Sequence, residues 1–205
     1  MSNPFTLNGG TVLSMKGKNC VVILCDTRLG SQYETVSTSF PKIFKMNPRV
    51  FFGLAGLASD VITLHHKLRF HVNLFQLKQE RSMPPHVFSK LVSTTLYEKR
   101  FGSFFAQPII AGLHDDGSPF ISSMDSIGAT TEPEDFVVAG TGADYVTGAC
   151  EKYWEKDMEP RQLLKVADKC LQAGVNRDAF SGWGGVAYLI TPEGVEKFDL
   201  KMRQD

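Results

Sequence analysis

The first groups in the chain that could do chemistry are a threonine and a charged pair. Gly9-Gly10-Thr11 opens one apolar run, and a second apolar run ends at Asp26 and Arg28. A threonine hydroxyl is a weak nucleophile until a base lies beside it and takes its proton. Charged neighbours can help to position and tune that base. The pattern therefore indicates either a centre for nucleophilic catalysis or the remains of one.

A β-hairpin is the element that must position these groups. The apolar runs at residues 11–15 and 20–25 have the length of strands, and Lys16 to Asn19 connects them. In a hairpin the end of the second strand returns to the start of the first. We therefore expect Asp26 and Arg28 to lie beside Gly9-Gly10-Thr11.

The rest of the chain alternates between groups of strands and pairs of helices. Periodic apolar residues, prolines and glycines predict helices at about residues 59–80, 84–102, 144–154 and from 159 onward, and strands at 50–56, 107–114, 119–125, 135–139, 183–191 and 195–202. This order fits neither βαβ alternation nor an all-β pattern. It predicts an α+β fold with antiparallel sheets stacked between helical layers, in one domain over residues 1–205 without repeats or linkers.

Composition narrows the class of protein. The 205 residues are 42% hydrophobic, which is enough for a sizeable core, and the 22 basic residues equal the 22 acidic ones in number. A net charge of zero argues against nucleic acid or a membrane surface as partner. The sequence contains no apolar run long enough to span a membrane and no signal-peptide pattern at its start, so we expect residence in the cytoplasm and nucleus.

The cysteines and histidines do not form a metal-site pattern. The four cysteines lack CxxC or zinc-type spacing and are expected to be buried free thiols in a reducing compartment: Cys20, Cys25, Cys150 and Cys170. No pair among His65, His66 and His71 has the i, i+4 spacing of a helical zinc site. We therefore expect no metal and no cofactor.

Five short segments together identify a family. They are Gly-Gly-Thr near the start, Cys25-Asp26-Thr27-Arg28, residues 54–60 (LAGLASD), residues 138–142 (VAGTG) and residues 177–182 (RDAFSG). With the order of elements, they resemble the β subunits of the 20S proteasome over nearly the whole chain. Residues 97–102 (YEKRFG) and 15–20 (MKGKNC) resemble the eukaryotic type-3 class of these subunits. The resemblance implies the N-terminal-nucleophile hydrolase fold, an αββα sandwich of two antiparallel sheets between helix layers.

The resemblance also implies that the nucleophile is missing. Catalytic members attack with an N-terminal threonine, and an aspartate follows that threonine by sixteen residues. Sixteen residues before Asp26 stands Gly10, which has no hydroxyl. The other family positions are occupied, and their expected role here is a structural network around the vacant position: Asp26, Lys42, Thr141 in place of the usual serine, Asp178 and Ser181.

Thr11 leaves an alternative open. Gly10-Thr11 reads like the bond that active subunits cleave to free their nucleophile, so the chain could be an active threonine-type endopeptidase that uses Thr11 after cleavage at Gly10. A shift of one residue in a strand moves a side chain to the opposite face. We therefore expect Thr11 to point away from Asp26 and Lys42, and we favour a non-catalytic subunit.

The partners follow from the same resemblance. Such a subunit assembles with six other β-type and seven α-type subunits into a chamber that receives unfolded polypeptides and regulatory caps, and that supports ATP- and ubiquitin-dependent protein degradation. Residues 1–9 would be a short N-terminal arm. Asp125, with Ser126 and Gly128, is a candidate to line the substrate channel of the adjacent trypsin-like subunit, where a carboxylate would favour basic side chains.

Overall fold

The structure is a computed structural model that describes residues 3–204. Its strands are β1 (Thr11–Gly17), β2 (Cys20–Asp26), β3 (Leu29–Ser31), β4 (Glu34–Ser37), β5 (Ile43–Asn47), β6 (Val50–Gly56), β7 (Ala106–Leu113), β8 (Pro119–Met124), β9 (Thr130–Thr131), β10 (Phe136–Gly140), β11 (Gly185–Thr191) and β12 (Gly194–Leu200). Its helices are α1 (Pro4–Leu7), α2 (Ala58–Gln79), α3 (Pro85–Tyr97), α4 (Ala143–Tyr153) and α5 (Pro160–Val175). None of the helices described is long and apolar enough to cross a membrane.

Two antiparallel five-stranded sheets form the centre of the fold. One has the strand order β10-β1-β2-β11-β12 and the other β5-β6-β7-β8-β9, while β3 and β4 form a separate ribbon. A shared core, which includes Val12, Ile23, Phe51 and Ile109, joins the two sheets. Helices α4 and α5 cover the outer face of the first sheet, and α2 and α3 cover the second. The predicted αββα sandwich is confirmed.

The strand registers bring the predicted site together at one end of the first sheet. Val12 pairs with Cys25 across the β1–β2 hairpin, Thr11 pairs with Gly140 of β10, and Asp26 pairs with Gly185 of β11. A register fixed by buried side chains on both faces leaves no freedom to slide. The ends of β1, β2, β10 and β11 therefore meet at the candidate residues that the sequence predicts.

Two helix boundaries differ from those expected. Helix α2 was expected from about residue 59 but begins at Ala58, and Asp60 in its first turn accepts a hydrogen bond from the Phe105 backbone N–H at 2.8 Å. Helix α3 ends at Tyr97 rather than at Gly102. The chain between them forms successive tight turns, because the backbone N–H of Arg100 donates to Tyr97 and that of Gly102 donates to Lys99.

Candidate functional site

Gly10 lies in a backbone conformation that favours glycine. Its φ is +117°, and the preceding Gly9 also has a positive φ of +69°. The Gly10 carbonyl accepts a hydrogen bond from the Thr141 backbone N–H at 3.0 Å, and its own N–H donates to the Thr141 hydroxyl at 3.3 Å. Residues with a Cβ atom are strained in this region. The backbone at position 10 is thus held by the turn after β10 in a shape that suits a residue without a side chain.

Lys42 fills the space beside Gly10. A Cβ atom added to Gly10 would overlap Cε of Lys42 and lie 2.9 Å from its Nζ. The ammonium group is 3% exposed and has three partners: Asp26 Oδ1 at 3.0 Å, the Asp26 carbonyl at 3.1 Å and the Arg28 carbonyl at 2.7 Å. An ammonium group has three protons to donate. Lys42 is therefore fully satisfied by the protein and occupies the volume that a side chain at position 10 would need.

The carboxylate of Asp26 gathers donors from three distant parts of the chain. Oδ1 accepts from the Thr11 backbone N–H at 2.8 Å as well as from Lys42, and Oδ2 accepts from the backbone N–H groups of Arg28 and Gly182, both at 3.2 Å. Asp26 is completely buried. A buried charge is tolerated when it is paired and hydrogen-bonded. This carboxylate holds three turns together.

The hydroxyl of Thr11 lies on the other side of the strand, away from Lys42. Its Oγ1 accepts from the Gly142 backbone N–H at 3.1 Å and lies 2.9 Å from Ser181 Oγ. Ser181 donates its proton to Asp178 Oδ2 at 2.6 Å, so the Thr11 hydroxyl must donate to Ser181. The hydroxyl is completely buried, and its proton is already engaged with a hydroxyl rather than with a base.

Asp178 extends this second network to the turn after β10. Its Oδ2 also accepts from the Thr141 hydroxyl at 2.6 Å, and its Oδ1 accepts from the Phe180 backbone at 3.0 Å. The structure thus brings Gly10, Asp26, Lys42, Thr141, Asp178 and Ser181 together in one cluster. It is divided by β1 into a Lys42 side and a Thr11 side.

Arg28, just before β3, links the cluster to the β3–β4 ribbon. Its guanidinium donates to the Thr35 hydroxyl and to the carbonyls of Gln32 and Phe180, each at 3.0 Å. Burial lowers the pKa of Arg28 below its ordinary value, whereas the charges of Asp26 and Asp178 oppose that shift. The guanidinium ties the ribbon to the Asp178 turn.

The neighbouring Cys25 is not a substitute nucleophile. Burial raises the pKa of its thiol to about 12. A thiol is nucleophilic as the thiolate, which such a pKa nearly eliminates at neutral pH. All four cysteines are buried and free, as expected from their spacing. Among residues 3–204, no group of three or more histidine, cysteine or acidic side chains is placed to hold a metal ion.

The N-terminal arm is fastened to β3 and to the start of α2 by Asn8, a residue that the sequence patterns did not single out. The Asn8 side chain donates to the Gly30 carbonyl at 2.9 Å and accepts from the Ala58 backbone at 2.8 Å, while its own carbonyl accepts from Gly30 at 3.0 Å. Phe5 packs edge-on against Phe105. Met1 and Ser2 of the expected arm lie outside the described residues. The one hint in the sequence is that Asn-Gly-Gly is a turn pattern.

Asp125 belongs to a separate turn. Its Oδ1 accepts from the backbone N–H groups of Ile127 at 3.0 Å and Ala129 at 2.8 Å, and its side chain is exposed. Gly128, at φ +89°, is anchored to α3 because its carbonyl accepts from the Ser93 hydroxyl at 2.7 Å. Ser126 is half-buried. The Asp125 hydrogen bonds stay within its own turn, so this turn is not part of the Gly10 cluster.

A cavity joins the Asp125 turn to the end of β10. It has a volume of about 530 Å³ and is open to the surface. Two carboxylates, those of Asp125 and Asp144, stand in its lining with Gly140 and Gln107. The geometry is suited to a positively charged group that approaches from outside the chain.

Comparisons with known proteins agree with this fold and site. Residues 6–190 match the family model described as "Proteasome subunit". The chain is 48% identical to the proteasome subunit beta type-3 of Saccharomyces cerevisiae, with all of both chains covered, and 48% identical to that of Picea mariana, with 98% of each covered. It is 45% identical to the corresponding protein of Drosophila melanogaster, with 97% of each covered. The resemblance to the type-3 class is thereby confirmed.

Proposed function

Because the chain belongs to the proteasome subunit family, we propose that it is a structural β-ring subunit of the 20S core and does not itself cut peptide bonds. Its similarity to beta type-3 subunits over its full length supports a place in the β ring. In that role it forms part of the wall of a protein-degrading chamber.

The observation that carries the non-catalytic proposal is the pair Gly10 and Lys42. Position 10 stands beside Asp26 and Lys42, but it has no hydroxyl, and Lys42 occupies the volume where one would project. A threonine-type peptidase requires a hydroxyl beside its base, and the loss of a nucleophile costs several orders of magnitude in rate. The polar cluster is retained as a structural network that holds β1, β2 and the Asp178 turn together.

The rival function is an active threonine-type endopeptidase that uses Thr11. Thr11 Oγ1 bonds to Ser181 and the Gly142 backbone, whereas the Lys42 ammonium is bonded to Asp26 and Arg28. Cleavage at Gly10 would free the Thr11 amine, but that nitrogen already donates to Asp26 Oδ1. These contacts weigh against the rival function.

The test is the N-terminus of the chain inside the assembled particle. We expect intact mass and N-terminal sequencing to give a chain that retains the residues before Gly10. We also expect Thr11 to stay unmodified after treatment with a covalent inhibitor directed at N-terminal hydroxyls. A chain that begins at Thr11 and carries the inhibitor there would contradict the proposal.

The proposed partners are the other subunits of the core. In this proposal the chain sits among six other β-type and seven α-type subunits, in the cytoplasm and nucleus, and unfolded polypeptides and regulatory caps meet it through the complex. The cavity beside Asp125 would form part of the substrate channel of the adjacent trypsin-like subunit. Mass spectrometry of the chains that co-purify with a tagged copy tests the set of partners, and a chain that purifies alone would contradict it.

A further inference from the structure

The turn that follows α3 forms a compact protrusion. Tyr97 ends the helix, and the N–H groups of Lys99, Arg100 and Gly102 donate to carbonyls three residues earlier, at 3.0, 3.2 and 2.9 Å. An added Cβ atom at Gly102 would have no atom within 4 Å, so the turn is open to solvent at this position. We call Tyr97, Arg100 and Phe101 the aromatic turn.

The aromatic turn exposes an unusual amount of ring surface. Phe101 is 92% exposed and Tyr97 is 56% exposed. Scattered exposed apolar side chains are ordinary, but a contiguous aromatic pair with an arginine has the composition of a binding hot spot.

Arg100 organises the two rings and keeps its hydrogen-bonding edge free. Its guanidinium carbon lies 4.7 Å from the Tyr97 ring centre and 4.6 Å from that of Phe101, so cation–π contacts fix its position. Its one hydrogen bond within the described chain is a long one, 3.5 Å, to the Tyr97 carbonyl. The adjacent Glu98 is engaged with Lys67 instead, at 3.5 Å.

The charge of the turn indicates what it would meet. Lys99 and Arg100 are both exposed, and none of the carboxylates in residues 3–204 forms an ion pair with either. A guanidinium held close to two rings still presents a fork of N–H donors that matches a carboxylate. Two aromatic rings beside it require an apolar surface to leave water.

We propose that the aromatic turn is an anchor that inserts into an apolar recess with a carboxylate at its rim on an adjacent subunit of the particle. The inference rests on the proposed function, which places neighbouring chains around this subunit. Phe101 and Tyr97 fill the recess, and Arg100 binds the carboxylate through its free edge. The anchor would help to select the neighbour, because a partner without the carboxylate leaves a desolvated cation unpaired.

The first experiment measures the exposure of Arg100 in the assembled particle. Phenylglyoxal, which modifies accessible guanidinium groups, is applied to intact particles and to particles dissociated in denaturant, and the modified peptides are quantified by mass spectrometry. We expect Arg100 to react at least tenfold more slowly in the intact particle. An equal rate in both states overturns the proposal.

The second experiment compares variants in competition with the wild-type chain. Differently tagged copies are co-expressed, and their ratio in the purified particle is measured. We expect Tyr97→Ala/Phe101→Ala and Arg100→Gln to be incorporated at least fivefold less than wild type, with Arg100→Lys in between. The matched control is Leu77→Ala, which removes a side chain that is 80% exposed on α2 and should compete equally.

The outcomes separate this inference from the proposed function. Equal incorporation of Arg100→Gln and wild type overturns the anchor, since a merely covered arginine would not need its charge. A wild-type chain that enters no multisubunit particle would contradict the proposed function instead. If the wild-type chain is part of the particle but its Arg100 reacts with phenylglyoxal as fast as in the dissociated state, the anchor proposal alone is overturned.

Discussion

Lys42 lies where a side chain at Gly10 would project, and the two residues are complementary in shape. The added Cβ atom would overlap Cε of Lys42, and the φ of Gly10 is one that only glycine adopts without strain. The glycine and the buried lysine therefore depend on each other, and each can be tested by substitution.

Gly10→Ala is expected to destabilise the chain. The strained φ alone costs of order 1–3 kcal/mol, and the Lys42 side chain must also move to make room for the added Cβ atom. Thermal melting of the particle and the yield of incorporated chain measure the effect. Gly148→Ala is the matched control, because an added Cβ there meets no atom within 4 Å and Gly148 lies within α4. An equal loss in both variants would contradict the prediction.

Lys42→Met is expected to be strongly destabilising, because it leaves the Asp26 carboxylate buried without its cation. Removal of one partner from a buried ion pair costs about 3–5 kcal/mol. Restoring stability with Asp26→Asn in the same chain would show that the uncompensated charge is the cause. The surface pair Lys18 and Glu159 provides the control, since Lys18→Met should have little measurable effect. Similar losses from both lysine substitutions would count against this account.

Asn8→Ala is expected to free one particular amide. The Ala58 N–H loses its acceptor, the Asn8 side chain, whereas the Gly30 N–H keeps the Asn8 carbonyl. Hydrogen exchange should therefore accelerate at Ala58 much more than at Gly30, and the free energy of unfolding should fall by about 1–3 kcal/mol. Asn3→Ala, which removes the exposed cap of α1, is the control and should leave Ala58 unchanged. Uniform acceleration at both amides would show that the arm is held in another way.

Cys25 is expected to resist alkylation until the fold opens. Its pKa of about 12 leaves the thiol protonated at pH 8, so its reaction with iodoacetamide should be about a thousandfold slower than in the unfolded chain. Between pH 9 and pH 12 the folded chain keeps the thiol proton, whereas the unfolded chain, in which the pKa of the thiol is 9.0, loses it. The contribution of the protonated Cys25 thiol to the free energy of unfolding is thus fully present below pH 9 and is lost as the pH rises toward 12. Rapid alkylation at pH 8 without loss of structure would contradict the burial of Cys25.

Asp125→Asn is expected to lower cleavage after basic residues by the neighbouring subunit. The amide oxygen can still accept from Ile127 and Ala129, so the turn is preserved while the charge is lost. Peptides with basic and with apolar residues before the cleaved bond should be compared in assembled particles. We expect a loss of about fivefold for the basic peptide and little change for the apolar one. Unchanged cleavage after basic residues would remove Asp125 from the neighbour's channel.

The fold could be predicted from local patterns, because strand length, helical periodicity and turn residues are encoded within short windows. The β1–β2 hairpin and the proximity of Asp26 to Thr11 follow from one such window. The helix boundaries are harder to predict from the sequence. Asp60 lies in the first turn of α2, but its carboxylate accepts from the backbone N–H of Phe105, 45 residues away. Helix α3 stops five residues before Gly102, because the backbone N–H groups that follow it donate to carbonyls within the turn.

The contacts that define the site depend on distant chain segments. Lys42 lies against Gly10 because elements far apart in sequence pack together. The hydrogen bonds of Asn8 with Gly30 and Ala58 arise in the same way. Register alone predicted the direction of the Thr11 hydroxyl, since that follows from strand alternation. Its donation to Ser181 required the positions of Asp178 and Ser181.

The carboxylate of Asp26 has a consequence for the order of biosynthetic events. Its bond to the Gly182 N–H joins residues 156 positions apart, while its bond to Thr11 spans 15. The longer contact closes a larger loop, so it costs more chain entropy to form than the shorter one. The ribosome must therefore have synthesised the chain at least as far as Gly182 before this cluster can close, so that the hairpin that carries Asp26 exists before the cluster is complete.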